Sequence, residues 1–198
     1  MSHNLHTSPW FYRASLGLIL VLMTVASAAT SARLSSVPGV SIENFGKVND
    51  HYYRGSQPHH KQFGELKSLG IKTVVDLRKD FKPEAEKWAQ EAGLKYFRIP
   101  LYAGRAATTE QAAYFLSLVN NPDNWPVYVH CKGGRHRTGA LTAIYRITHD
   151  GWTADQAYNE MKEYDFESGF LGGGPESQKK FVYSFYEHYR TTANTGQK

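Results

Sequence analysis

Cysteine is almost missing from this chain of 198 residues, in which Cys131 stands alone. A single thiol excludes an internal disulfide and any zinc or iron–sulfur centre built from several cysteines. Cys131 therefore has to be explained by burial or by reactivity. Proline (8) and glycine (17) are too sparse for a fibrous or low-complexity chain. No internal repeat is visible, and no apolar run reaches the roughly 20 residues that span a bilayer comfortably. Charge is also modest: 23 Lys and Arg against 18 Asp and Glu leave +5, which favours anionic partners but is too weak and dispersed for a nucleic-acid surface. Aromatic residues are plentiful. With 13 Tyr, 10 Phe and 4 Trp in a composition that is 41% hydrophobic, the chain can bury a real core in one domain.

Arg13 precedes the apolar run Ala14–Ala26, which ends in the small-x-small triplet Ala26-Ser27-Ala28. A basic polar stretch, a short apolar run and small residues describe a secretory signal. Residues 1–28 are thus expected to be a signal peptide, 29–40 a flexible leader, 41–191 the folded domain and 192–198 a disordered tail. The expected location is periplasmic or secreted, with membrane attachment only through an uncleaved signal. No Cys follows the apolar run, so a lipid anchor is not expected.

Beyond the leader, strand and helix signals alternate. Ser41–Tyr53 reads as a hairpin around Asn49-Asp50. Pro58–Leu69 reads as a helix closed by Gly70, and the β-branched run Ile71–Leu77 as a strand. Pro83–Ala92 is a helix and Leu94–Leu101 a strand. The pairs Thr108/Gln111 and Thr153/Gln156 are capping boxes that open helices running to about Val119 and Tyr164. Pro126–His130 is a short strand, with helices over 138–148 and 175–189. The expected fold class is α/β, a central mostly parallel sheet flanked by helices, with the last three helices on one side.

The chemistry concentrates in His130-Cys131-Lys132-Gly133-Gly134-Arg135-His136-Arg137-Thr138-Gly139. This segment lies beyond the carboxyl end of a strand, where parallel α/β sheets bind ligands. Its glycines let successive N–H groups turn inward, and the following helix points its positive end at the same cup. Such a cup takes a tetrahedral oxyanion. Cys131 at its base, amid Lys132, Arg135, His136 and Arg137, is expected to be a thiolate. Arg137 is placed to curl back and hold two oxygens of the bound group, and Thr138 to donate its hydroxyl to the sulfur. The implied route is attack of sulfur on phosphorus, a cysteinyl-phosphate, then hydrolysis.

The spacing Cys131-x5-Arg137-Thr138 after His130 resembles the signature of the cysteine-dependent protein tyrosine and dual-specificity phosphatases. The whole decapeptide is especially similar to the plant-and-fungal atypical dual-specificity group. Asn44–Val48, Tyr53-Arg54-Gly55-Ser56-Gln57-Pro58 and Leu69–Arg78 resemble the same group, so the likeness covers roughly Ile42 to Tyr189. A bare Cys-x5-Arg is shared with low-molecular-weight phosphatases and arsenate reductases. The preceding His, the glycines and the Arg-Thr-Gly ending make it specific.

The resemblance implies a dual-specificity phosphatase-like fold without cofactor or metal. It also implies a general-acid Asp in the loop after the preceding strand, which is absent from Ile99–Glu110. Glu110 is the only carboxylate there and is the first candidate; as a first-turn acid it also suits the helix dipole. Asp76 is second, with the alternative of orienting Arg78 or a backbone amide, and Asp80 third. A good leaving group such as a pyrophosphate would need little help from an acid. Substrate contacts are expected from His130, Lys132, Gly133, Gly134, Arg135 and His136. The substrate is a phosphorylated protein or an inositol phosphate or pyrophosphate, with no nucleic acid. The alternative is a binding module holding a phosphorylated ligand without turnover. His51, His59 and His60 are expected to be solvent-exposed, Gly172-Gly173-Gly174 a plain connector, and Tyr183, Phe185, Tyr186 and Tyr189 packing residues.

Overall fold

The computed structural model describes residues 37–80, 82–168 and 174–195. The expected signal, most of the leader, Gly172, Gly173 and residues 196–198 lie outside the described residues. Along the chain come β1 (Gly46–Lys47), β2 (Tyr52–Gly55), α1 (His60–Ser68), β3 (Thr73–Arg78), α2 (Pro83–Glu91), β4 (Lys95–Leu101), α3 (Thr109–Val119), β5 (Val127–His130), α4 (His136–His149), α5 (Ala154–Glu163) and α6 (Glu176–Thr195). A single 3-10 turn, Pro122–Asn124, precedes β5.

The five strands form one sheet in the order β1-β2-β5-β3-β4. Only the β1–β2 hairpin is antiparallel; β2–β5, β5–β3 and β3–β4 run parallel. The mostly parallel sheet flanked by helices is the architecture expected from the alternating pattern. Every residue of β3 and β5 is buried, as strands covered on both faces require. Side chains alternate between the faces. Val75, Leu77, Val127 and Val129 pack with Phe115 of α3 and with Leu141 and Ile144 of α4. On the opposite face Val74 and Tyr128 pack with Phe63 and Leu66 of α1 and with Ala85 and Ala89 of α2. Fully burying each such branched side chain contributes about 1.5–3 kcal/mol.

Both capping boxes form as their spacing dictates. Thr108 accepts from Gln111 N and Thr153 from Gln156 N, while each glutamine side chain returns to its cap. Helices α4, α5 and α6 pack together through Ala140, Ala143 and Ile147 against Ala157, Met161 and Val182.

Some boundaries differ from expectation. Val37 and Val40 pack on the core, so the folded part starts before Ser41. Helix α4 starts at His136, because the loop glycines turn the chain within 133–134. Helix α6 runs to Thr195, into the stretch expected to be a disordered tail. Among the described residues no helix is long and apolar enough to cross a membrane.

Candidate active site

β5 and β3 are adjacent in the sheet, but the chain leaves them in opposite directions, one toward α4 and the other toward α2 and β4. That divergence opens a crevice at their carboxyl ends. A cavity of about 400 Å³ lies there, lined by Glu43, Ala103, Gly104, Cys131, Lys132, Gly133, Arg135, His136 and Arg137. The decapeptide thus supplies most of its wall. The β4–α3 loop and the segment before β1 supply the rest.

Cys131 is a free thiol, only 3% exposed, directly after β5. Burial alone would raise its pKa. The Thr138 hydroxyl, the Arg137 charge and the backbone N–H groups of Thr138 and Gly134 outweigh that and bring it below the ordinary thiol value. Thr138 Oγ1 is buried with no conventional hydrogen-bond partner, which leaves it to face the sulfur. Gly134 takes φ +67°, and a Cβ there would lie 2.4 Å from the Gly55 carbonyl carbon, so only glycine fits this bend.

Arg137, itself buried, lines the crevice. Its Nη1 donates to the Leu101 carbonyl at 3.2 Å and lies 3.4 Å from Asp80 Oδ1. The Leu101 oxygen also accepts from Lys79 N at 3.2 Å, which ties the ends of β3 and β4 together beside the cup. Lys132 is exposed at the rim, and its carbonyl accepts from Gln57 N. Arg135 reaches Ser168 Oγ at 3.2 Å, and His136 Nε2 bonds the Ser168 carbonyl at 2.9 Å. The residues after α5 thereby hold one wall.

The structure separates the remaining candidates. Glu110 does not line the cavity. It sits exposed on the first turn of α3, where the Thr108 hydroxyl and its own backbone N–H hold its pKa down, the helix-dipole position that was its alternative reading. Asp76 is wholly buried. It accepts from Arg78 N at 2.9 Å, from Arg78 Nη2 at 2.7 Å and from the Tyr96 hydroxyl at 2.8 Å. It therefore orients Arg78 and a backbone amide rather than facing substrate. Burial would raise its pKa, but His130, Arg78 and Tyr96 together lower it.

His130 is likewise buried and does not line the cavity. Its Nδ1 donates to the Cys131 carbonyl at 3.2 Å and lies 3.8 Å from Asp76 Oδ1, and burial lowers its pKa below the ordinary imidazole value. It is a support for the loop and not a substrate contact. Gly134 is buried too and serves through its backbone. Asp80, the third choice, is the carboxylate beside Arg137, and its side chain is 71% exposed.

Sequence reasoning missed Glu43, Ala103 and Gly104 in the lining, and the supports Asn44 and Arg54. Asn44 and Arg54 lie in segments already noted for their family likeness, which was the available signal. Among the described residues no three metal-ligating side chains converge. His51 stacks on Trp125, and His60 lies beside Trp88 and Glu91.

A near-buried activated thiol under a glycine cup, with an arginine fork at its mouth, matches a phosphoryl group, and with this sheet it defines a cysteine-dependent phosphatase. The chain belongs to the family described as DSP-PTPase phosphatase fused to NAD+ Kinase, whose model matches residues 33–179. It is similar to Dual specificity protein phosphatase TpbA of Pseudomonas aeruginosa, 29% identical over 170 residues, covering 82% of this chain and 77% of that protein. It is also similar to Inositol diphosphatase SIW14 of Saccharomyces cerevisiae, 26% identical over 130 residues, 63% of this chain and 46% of that one. The crystal structure of TpbA superposes with TM-score 0.59 at 29% identity, covering 73% of this chain and 85% of that one. The core catalytic domain of SIW14 superposes with TM-score 0.63 at 24% identity, covering 78% and 94%.

Proposed function

We propose that this phosphatase removes a phosphoryl group by two displacements at Cys131, and that it prefers substrates carrying negative charge beyond the group transferred. The observation that carries the reading is the buried, pKa-lowered Cys131 thiol at the floor of a cavity whose mouth holds Arg137. In the first step the sulfur attacks phosphorus and the bond to the leaving oxygen breaks. Arg137 holds two of the remaining oxygens as charge develops. The leaving oxygen takes a proton from Asp80. In the second step water attacks phosphorus and gives its proton to the Asp80 carboxylate. The sulfur–phosphorus bond breaks, and the departing thiolate is stabilised by the Thr138 hydroxyl.

Asp80 does not itself line the cavity, as Glu43 does, but it is assigned the acid because it is the carboxylate in contact with Arg137. In the free protein burial would raise its pKa, but its own backbone N–H, Arg137 and Arg78 together hold it below the ordinary value. A phosphoryl group that engages Arg137 takes that partner away and brings negative charge close, and both effects raise the Asp80 pKa toward a proton-donating state.

Lys132 and Arg135 line the cavity beyond the cup and supply cations for further phosphates. That favours an inositol polyphosphate or pyrophosphate; the relative SIW14 is named an inositol diphosphatase. A second reading, a phosphorylated protein with phosphotyrosine among its targets, is supported by the likeness over more of the chain to TpbA, named a dual specificity protein phosphatase. A panel of an inositol pyrophosphate, a phosphotyrosyl peptide and an aryl phosphate, with chelator present, separates them. The expected result is the highest kcat/KM on the inositol pyrophosphate, with Lys132→Ala and Arg135→Ala lowering that rate but not the aryl phosphate rate. The reverse preference gives the second reading. Vanadate binding without turnover of any substrate makes the protein a binding module. The same reading has residues 1–28 direct export, tested by fractionating cells that express the chain with and without them.

A further inference from the structure

Arg54, in the middle of β2, has 0% of its surface exposed. Its guanidinium lies 3.8 Å above the Tyr164 ring, and Nη2 donates to the Gly134 carbonyl at 2.7 Å. Its Nε and Nη1 have no hydrogen-bond partner, and among the described residues no carboxylate pairs with it. The groups that face it electrostatically are Tyr52 on its own strand, Tyr128 on β5 and Tyr164 after α5. Glu160 of α5 acts on the same Tyr52 and Tyr164, but it is engaged by Arg146 Nε at 3.0 Å. A buried cation without a counter-ion is expensive, and folded proteins keep one only where something compensates it.

The hydrogen bond to Gly134 indicates what does. In a trans peptide the N–H and C=O point in opposite directions. A donor that pulls the Gly134 carbonyl outward therefore turns the Arg135 N–H toward the cup. Asn44 does the same one peptide earlier: its Nδ2 donates to the Gly133 carbonyl at 3.2 Å, which sets the Gly134 N–H that faces the Cys131 sulfur. Asn44 also donates to the Tyr164 carbonyl at 3.2 Å, so Asn44, Arg54 and Tyr164 form one brace behind the loop. Tyr128 feels both Arg54 and Cys131, so the cation and the thiolate share one buried region.

We propose that Arg54 is a positioning residue of the phosphate cup: it holds the Gly134 carbonyl outward and sets a positive charge with no carboxylate in contact behind the loop, which favours an anion in the cup. This rests on the reading of Cys131 as the nucleophile. The anion is the thiolate itself in the free protein and the phosphoryl group when substrate is bound. Arg54 touches neither and acts through the loop.

The test uses Arg54→Met and Arg54→Lys in the full chain. It reads vanadate affinity, the pH midpoint of Cys131 alkylation by iodoacetamide, and Tm with and without inorganic phosphate. Arg54→Met is expected to weaken vanadate about 10- to 100-fold, the loss of one charge-assisted contact. It should also raise the alkylation midpoint and abolish the phosphate-induced rise in Tm, while Tm without anion stays level or increases. Arg54→Lys keeps the charge without the stacked fork and should recover part of the alkylation shift. If Arg54→Met folds and retains both the wild-type alkylation midpoint and vanadate affinity, the proposal is wrong. If it does not fold, Arg54→Lys decides: an alkylation midpoint and vanadate affinity equal to wild type, with only Tm reduced, make Arg54 purely structural. Failure of the underlying reading looks different, because the wild type itself would then neither bind vanadate nor show an activated thiol.

Discussion

Asp80 and Arg137 meet at 3.4 Å, although the carboxylate leaves the end of β3 and the guanidinium rises from the first turn of α4. The Leu101 carbonyl lies between their loops and accepts from both Lys79 N and Arg137 Nη1. The loop after β4 contributes Ala103 and Gly104 to the cavity, neither of which can donate a proton from its side chain. The loop in which the resemblance led us to expect an acid thus places no carboxylate in the cavity, and Asp80 from the neighbouring strand end stands beside Arg137.

Asp80→Asn is accordingly expected to slow substrates with poor leaving groups by about 10²–10⁴-fold, the usual contribution of a general acid. An activated aryl phosphate should be nearly unaffected. Glu110→Gln is the comparison and should leave both rates within about twofold, since its side chain is exposed on the first turn of α3 and is held by Thr108, whereas Asp80 contacts Arg137. Steady-state kcat on alkyl and aryl phosphates checks this. A large loss in Glu110→Gln with none in Asp80→Asn reverses the assignment.

The thiol prediction concerns pH. Because the Cys131 pKa is lowered, its alkylation should reach half its maximal rate below the ordinary thiol value of about 8.5. Thr138→Val removes a donor to the sulfur and should move that midpoint upward. The variant should also slow the second displacement more than the first, seen as a larger pre-steady-state burst. An unshifted midpoint in Thr138→Val would mean that the hydroxyl does not stabilise the thiolate.

How far these residues could be read from the chain depended on how local each signal was. Cys131, Arg137 and Thr138 share one loop and one helix turn, so spacing alone brings them together. The capping boxes at Thr108 and Thr153 were legible because each is closed within three residues. Asp80, Glu43, Asn44 and Arg54 reach the cup only after β2, β5 and β3 pair in the sheet. For Asn44 and Arg54 the family likeness of their segments was the signal, and for Asp80 its place after a strand, but spacing alone indicates none of these contacts. His130 and Asp76 were read as functional for their chemistry. Their burial comes from the position of β3 and β5 at the centre of the sheet, which periodicity in such short runs does not reveal.

That buried pair gives a prediction for stability. His130 has a native pKa below its unfolded value, so the unfolded chain takes up the proton first, and stability falls as pH drops below about 6.5. Asp76 is also lowered, and its contribution, fully present above the unfolded value of about 3.9, is lost as pH falls through the native value. Urea unfolding should therefore show two declines on acidification. His130→Gln should flatten the first. Asp76→Asn should cost about 3–5 kcal/mol at neutral pH by leaving Arg78 buried without its partner. A wild-type slope between pH 7 and 5.5 that persists in His130→Gln contradicts the first part.

The two-step route through sulfur is tested most directly by trapping its intermediate. The wild-type protein is mixed with an aryl phosphate, quenched in acid within the first turnovers, and its peptides are examined by mass spectrometry. A phosphoryl group on the peptide containing Cys131, forming and decaying at rates that account for kcat and absent in Cys131→Ser, is the expected result. Continued turnover by Cys131→Ser within about tenfold of wild type, or rapid turnover with no phosphoryl group on Cys131 at any time, would contradict the covalent mechanism.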